Sequence, residues 1–182
     1  QRAQEYRESL TDGISYVISE GVARQPQKQQ KLDWISDASD LLELPIFYVD
    51  ANRVELSRTE KNRIAEQKSV VRYDANKGIG YMIIGLRGDT EHFLYIKVDK
   101  IGERQMKALP IFVLDYLIFY PGQEREYLEK IKKHFYYPID ISDIKDINLD
   151  SEQIGRLRQD QSVLLYRDSA SIRGTTISIV SP

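Results

Sequence analysis

The chain contains no cysteine. That excludes disulfides, a thiolate nucleophile and a cysteine-based zinc site, and it leaves the compartment open, because the absence suits cytosol and periplasm alike. Histidine is nearly absent too: there are two, His92 and His134. His92 falls at the start of an expected strand and His134 near the C-terminal end of an expected helix, where a cation is favourable, so a structural role is the plainer reading of both. No apolar run approaches the roughly 20 residues of a membrane helix. The longest, "LPIFVLDYLIFYPG" at residues 109–122, is interrupted by Asp115 and reads as buried structure. A basic field is also missing, with 26 Lys and Arg against 28 Asp and Glu for a net charge of -2, so nucleic acid is not an expected partner. Gly-rich phosphate loops, Ser-centred elbows and HExxH are absent, and with them any recognisable catalytic motif or cofactor-binding motif. The fragment is expected to be non-catalytic, with no cofactor.

What is present is a phrase stated twice. Shifting the sequence by 93 positions sets Pro45–Ile79 against Pro138–Ile172 without a gap, with nine of 35 pairs identical, among them Leu56/Leu149, Arg63/Arg156, Val70/Val163 and Tyr73/Tyr166. Conservative pairs such as Ile64/Leu157 and Val71/Leu164 sit where a core needs them. Two long copies indicate a duplicated globular unit and not a solenoid. In each copy a capping pair, Ser57 with Glu60 and Asp150 with Gln153, predicts a helix start. A proline-opened strand precedes the helix ("PIFYV", "PIDIS"), and a β-branched run follows it ("SVVRY", "SVLLY"). In the first copy, turns at Asn76-Lys77-Gly78 and at "RGDTE" extend this into an antiparallel meander. The "RGD" at Arg87–Asp89 is therefore read as a hairpin turn and not as an adhesion motif.

Helical spacing in "KLDWISDASDLLEL" (Leu32, Ile35, Leu42) and "REYLEKIKKHF" (Leu128, Ile131, Phe135) places a helix before each strand set. The expected fold is α+β. A long N-terminal helix over residues 1–27 leads into two tandem small α/β modules with antiparallel sheets, residues 28–120 and 121–182.

Three features carry functional expectations. On the leading helix Tyr6, Leu10, Gly13 and Val17 fall at alternating spacings of three and four, a seam for dimerisation and signalling, with Gly13 permitting close approach. The competing assignment turns Tyr6, Leu10, Ile14, Val17 and Ile18 inward onto the helix's own module. In "DISDIKDINLD", Asp140, Asp143 and Asp146 are candidate ligands for a hard divalent cation. EF-hand spacing is missing there, and an edge strand facing water is the plain alternative. Aromatics in "DYLIFYPG" and "HFYYP" form either an inter-module core or an aromatic-walled cleft. Phe47 and Val49 make the first strand apolar on both faces, where the second copy has Asp140 and Ser142, so copy one is expected to be the more buried.

The order of a long leading helix, a short helix with Trp34, a strand, "LS..E..RI...SVV" and a hairpin resembles the extracytoplasmic sensor domain of bacterial two-component sensor histidine kinases. The resemblance covers residues 1 to about 120, with the second copy a tandem sensor module, PAS-like by analogy. It implies a periplasmic, non-catalytic input domain of a homodimeric inner-membrane kinase. Flanking membrane helices would lie outside this chain, and the partner would be a small ligand or an accessory periplasmic protein. The start at Gln1, without methionine or signal-peptide pattern, fits a segment of something longer. A freestanding periplasmic binding or adaptor protein is the alternative.

Overall fold

A computed structural model describes residues 2–99, 101–135, 146, 148–159, 163–169 and 172–179. The fold is mixed α+β, with six α-helices and a four-stranded antiparallel sheet among these residues. Helix α1 spans Arg2–Arg24 and α2 Lys28–Leu42, and strand β1 is Ile46–Asp50. After a 3-10 turn at Ala51–Arg53 come α3 (Arg58–Ala65), β2 (Val70–Asp74), β3 (Ile79–Leu86) and β4 (Asp89–Lys97). Helices α4 (Glu103–Leu117), α5 (Glu124–Lys132) and α6 (Ser151–Leu157) and a hairpin of β5 (Val163–Ser169) and β6 (Ile172–Ile179) follow.

The sheet order is β1-β4-β3-β2, so the meander is closed by the first strand returning beside the last. Directly opposed residues share a face in an antiparallel pair, and this register sorts the side chains. Ile46, Met82, Ile84, Leu94 and Ile96 point to one face and are buried there under α1, α2, α4 and α5. Leu10, Ile14, Val17, Ile18 and Val22 are the stripe that α1 contributes to this core, each at most 1% exposed. The inward assignment of α1 thus describes the chain from Leu10 onward. Two glycines on α1 act as seats. A methyl group at Gly13 would fall within the Phe135 ring, and one at Gly21 within the Trp34 indole. Each glycine lets a neighbouring element's aromatic ring lie against the α1 backbone. Trp34 is fixed further by donating its indole N–H to the Ile18 carbonyl at 3.1 Å.

Helix α4 is the element the sequence reading leaves without a fold. Its buried residues Leu109, Phe112, Val113, Tyr116 and Leu117 keep helical spacing even with Pro110 inside the helix. Gln105 ties its first turn down, accepting from the Gly102 N–H at 2.8 Å and donating to the Leu42 carbonyl, the last residue of α2, at 2.9 Å.

The repeat is partly visible. Ser57 and Asp150 are both helix N-caps, each accepting from the backbone N–H three residues on, while Glu60 and Gln153 reach back to the cap N–H. Strands β5 and β6 begin 93 residues after β2 and β3. Pairing does not follow the same offset: Val70 opposes Ile83, yet Val163 opposes Ile179, three residues beyond Thr176, the position the repeat indicates. An odd shift changes which side chains share a face. The expected strand Pro138–Ser142 lies outside the described residues. Leu128, Ile131 and Phe135, grouped with the second unit by sequence, are buried in the same core as α1, so this core crosses the boundary drawn at residue 121.

Candidate functional site

The sheet's outer face has thin cover. Chain leaving β1 at Asp50 crosses it as a strap, through the 3-10 turn to Ser57, and delivers α3 over β3 and β2. There Ile64 sits on Gly85, where a Cβ would come within 2.7 Å of its γ2 methyl, and Val70 and Ile83 are buried. Arg72 of β2 clamps the strap. Its Nε and Nη2 donate to the two Glu60 oxygens at 2.9 and 2.8 Å, and Nη2 also donates to the Glu55 carbonyl. The Arg72 hydrogen bond, joined by the Ser57 N–H, holds the Glu60 carboxyl down to about 2. The capping box of α3 and the sheet are thereby one ionic unit.

Between strap and sheet lies an open groove of about 430 Å³, with Phe47, Val49, Val54 and Tyr95 as its apolar lining and Arg72, Arg53 and Asp50 at its polar margins. Its volume falls in the range of small-molecule sites, roughly 300–1,000 Å³. Phe47 is 50% exposed here, because helices cover only the inner face of β1; the strand of the second copy with which β1 was compared lies outside the described residues.

At the corner where the strap leaves the sheet, four side chains meet. Asp50 and His92 are directly opposed across β1 and β4. The His92 ring stacks on Tyr48, with centroids 4.3 Å apart and planes 13° from parallel. Its Nδ1 lies 3.0 and 3.1 Å from the two Asp89 oxygens, and its Nε2 lies 3.5 Å from Asp50. Asp89 also accepts from the Tyr48 hydroxyl at 2.7 Å and from the backbone N–H groups of Glu91 and His92. Burial works to raise the Asp89 carboxyl, but these hydrogen bonds outweigh it and hold the carboxyl below its ordinary range. Burial, then the bond to Asp89, pushes the Tyr48 phenol up. The "RGD" does form the turn into β4, and its Asp89 faces His92 and Tyr48.

A second cleft, of about 370 Å³, lies between α1, the end of β3 and the α3–β2 connection. Its charges are engaged locally: Arg87 pairs with Glu20 at 3.1 Å, Lys68 with Glu66 at 2.7 Å, and Arg63 donates twice to the Ser69 carbonyl. His134 closes one side, stacked on Tyr16 at 3.7 Å, and burial pushes its pKa below the ordinary value.

The remaining expectations place as follows. Asp140 and Asp143 lie outside the described residues, and Asp146 is exposed. Among the described residues no three His, Asp or Glu side chains are grouped to hold a metal ion. Leu10 and Val17 are fully buried and Gly13 is filled by Phe135, so these positions of the proposed seam are occupied within the chain; the Tyr6 side chain lies outside the description. Of the aromatic stretches, Tyr116, Tyr120 and Phe135 are core residues, Phe119 is 37% exposed, and residues 136–138 lie outside the described residues. No helix among the described residues is long and apolar enough to cross a membrane.

Comparison with known proteins leaves this geometry to speak for itself. No protein-family model matches the chain, and no curated protein matches it. Sequence reasoning missed both the groove and the His92 corner. Its only available signal was the apolar pair Phe47 and Val49 on the second face of an already apolar strand, since Tyr95 and Arg72 join them only through the strand order.

Proposed function

We propose that this chain is the extracytoplasmic sensing domain of a membrane-bound sensor histidine kinase, with a PAS-like first unit and a second, tandem unit from about residue 121 whose first helix, α5, packs into the first unit's core. The observation that carries the reading is the position of α1. It packs on the inner face of the sheet and against α2, α4 and α5, while the strap-covered groove occupies the outer face of that sheet. A ligand that moves the strap or flexes the sheet acts on the strands that α1 rests on, and α1 is the element that would convey the change to a flanking membrane helix. The paired caps at Ser57 and Asp150 support the tandem reading.

In this reading the parent protein is a homodimer. Its contacts draw on residues other than Leu10, Gly13 and Val17, which the core has claimed. The test is the coding sequence on either side. Apolar runs of roughly 20 residues before Gln1 and after Pro182, followed by a kinase core, support the proposal. A signal peptide and a stop codon directly after Pro182 would replace it with the second reading, a freestanding periplasmic binding or adaptor protein, for which the same groove serves.

A further inference from the structure

The geometry points to a proton-driven switch at His92 that sets the position of the strap over the groove. The inference rests on the groove being the sensing site, and it names a regulator of that site.

The argument starts with the tautomer. Asp89 already accepts from the Tyr48 hydroxyl and two backbone N–H groups, and both its oxygens face His92 Nδ1 at 3.0 and 3.1 Å. An acceptor so surrounded is a carboxylate, and Nδ1 must be the atom that carries hydrogen toward it. In the neutral ring, Nε2 then presents a lone pair to the Asp50 carboxylate 3.5 Å away, an unfavourable facing of two acceptors. Asp50 has another partner, the Arg53 guanidinium at 3.5 Å, one turn further along the strap.

Adding one proton to Nε2 reverses this balance. The imidazolium donates from both nitrogens, to Asp89 on one side and Asp50 on the other, and the Tyr48 ring stacked on it holds its plane in line with both. The charged and titratable groups around the ring are Tyr48 and Asp50 from β1, Asp89 and Glu91 from β4, and Arg53 through Asp50. The two carboxylates that meet the ring nitrogens are Asp89 at Nδ1 and Asp50 at Nε2. Asp50 is the residue from which the strap departs and it borders the groove. In the structure one Asp50 oxygen faces His92 and the other Arg53; protonation adds a sheet-side ion pair to the strap's first residue, and loss of the proton leaves Arg53 as the only cation of the two on Asp50, so the strap shifts on its anchor.

Because the chain has no cysteine, Asn52→Cys on the strap can carry a single environment-sensitive fluorophore. The expected result is a change in emission between pH 8 and pH 5 that persists in His134→Gln and is lost in His92→Gln. Asp50→Asn, altering a half-exposed side chain at no cost to the core, should abolish the change as well and stands in if His92→Gln does not fold. The switch is overturned if the parent shows no change, if the change survives Asp50→Asn, or if His134→Gln removes it. The measurement needs only this chain, so it is decided independently of whether the flanking sequence encodes a kinase.

Discussion

At the scale of single residues, the two glycines of α1 and the Arg72 clamp make the sharpest statements. Gly13→Ala and Gly21→Ala would raise intrinsic helix propensity by up to about 1 kcal/mol, and on an exposed helix each would stabilise. Here each methyl must displace a buried ring, Phe135 or Trp34. Overpacking then wins, and each variant should lose about 1–3 kcal/mol. Urea unfolding followed by the emission of the lone tryptophan, Trp34, checks it. The clamp gives a prediction in acid. Glu60 is held down to about 2, chiefly by Arg72, so its contribution is complete above the ordinary glutamate value and is lost as pH falls through the folded one. Stability of the parent should decline between about pH 4.5 and pH 2 more steeply than that of Glu60→Gln, read from urea midpoints at each pH. An identical slope would mean that the Arg72 bond is not formed in solution. Neither the seats nor the clamp was legible from the chain. A glycine at helical spacing suggests close approach without saying whose ring approaches, and Arg72 meets Glu60 only after β2 and α3 have docked.

At the scale of elements, whatever is written in contiguous residues could be read. Both capping boxes, the turn at Asn76-Lys77-Gly78 and the turn before β4 depend on neighbours a few positions apart, and all stand where the sequence places them. Ser57→Ala should therefore cost about 1 kcal/mol, measured as a shift in urea midpoint. Its effect should exceed that of Thr59→Ala, a neighbouring exposed residue of the same helix; equal effects would argue against the cap. Elements whose local signals conflict were harder to read. Residues 109–122 are rich in β-branched and aromatic side chains and contain Pro110, which speaks against a helix, yet the positions buried in α4 are spaced as a helix requires. Tertiary cover from α1 and α2 decided the matter. The β5–β6 register is a conflict of another kind: the repeat places where the strands begin, while Val163 takes Ile179 as its partner, three residues further along than the repeat indicates, with the register shifting again before Ser169 meets Ile172.

At the scale of the whole molecule, the α+β class was legible from the order of periodic segments, whereas the groove and the His92 corner depended on β1 returning beside β4, a long-range pairing with no local signature. Burial also bears on how such a chain could dimerise. In the membrane-bound parent proposed above, single cysteines at Leu10 or Val17 should fail to form disulfide dimers, since both side chains are 0% exposed. Ready cross-linking at either would require the helix to leave its own core. The seats at Gly13 and Gly21 carry this further. They lie eight residues apart, which on an α-helix is roughly 12 Å along the axis and about 80° around it. A shaft keyed at two heights and two azimuths can neither spin nor slide by a turn while both keys stay in place. Whatever motion α1 makes must carry Trp34 of α2 and the Phe135 end of α5 with it, so the mechanical output available to this fold is a tilt of the three-helix block against the sheet, and not a rotation of one helix within it.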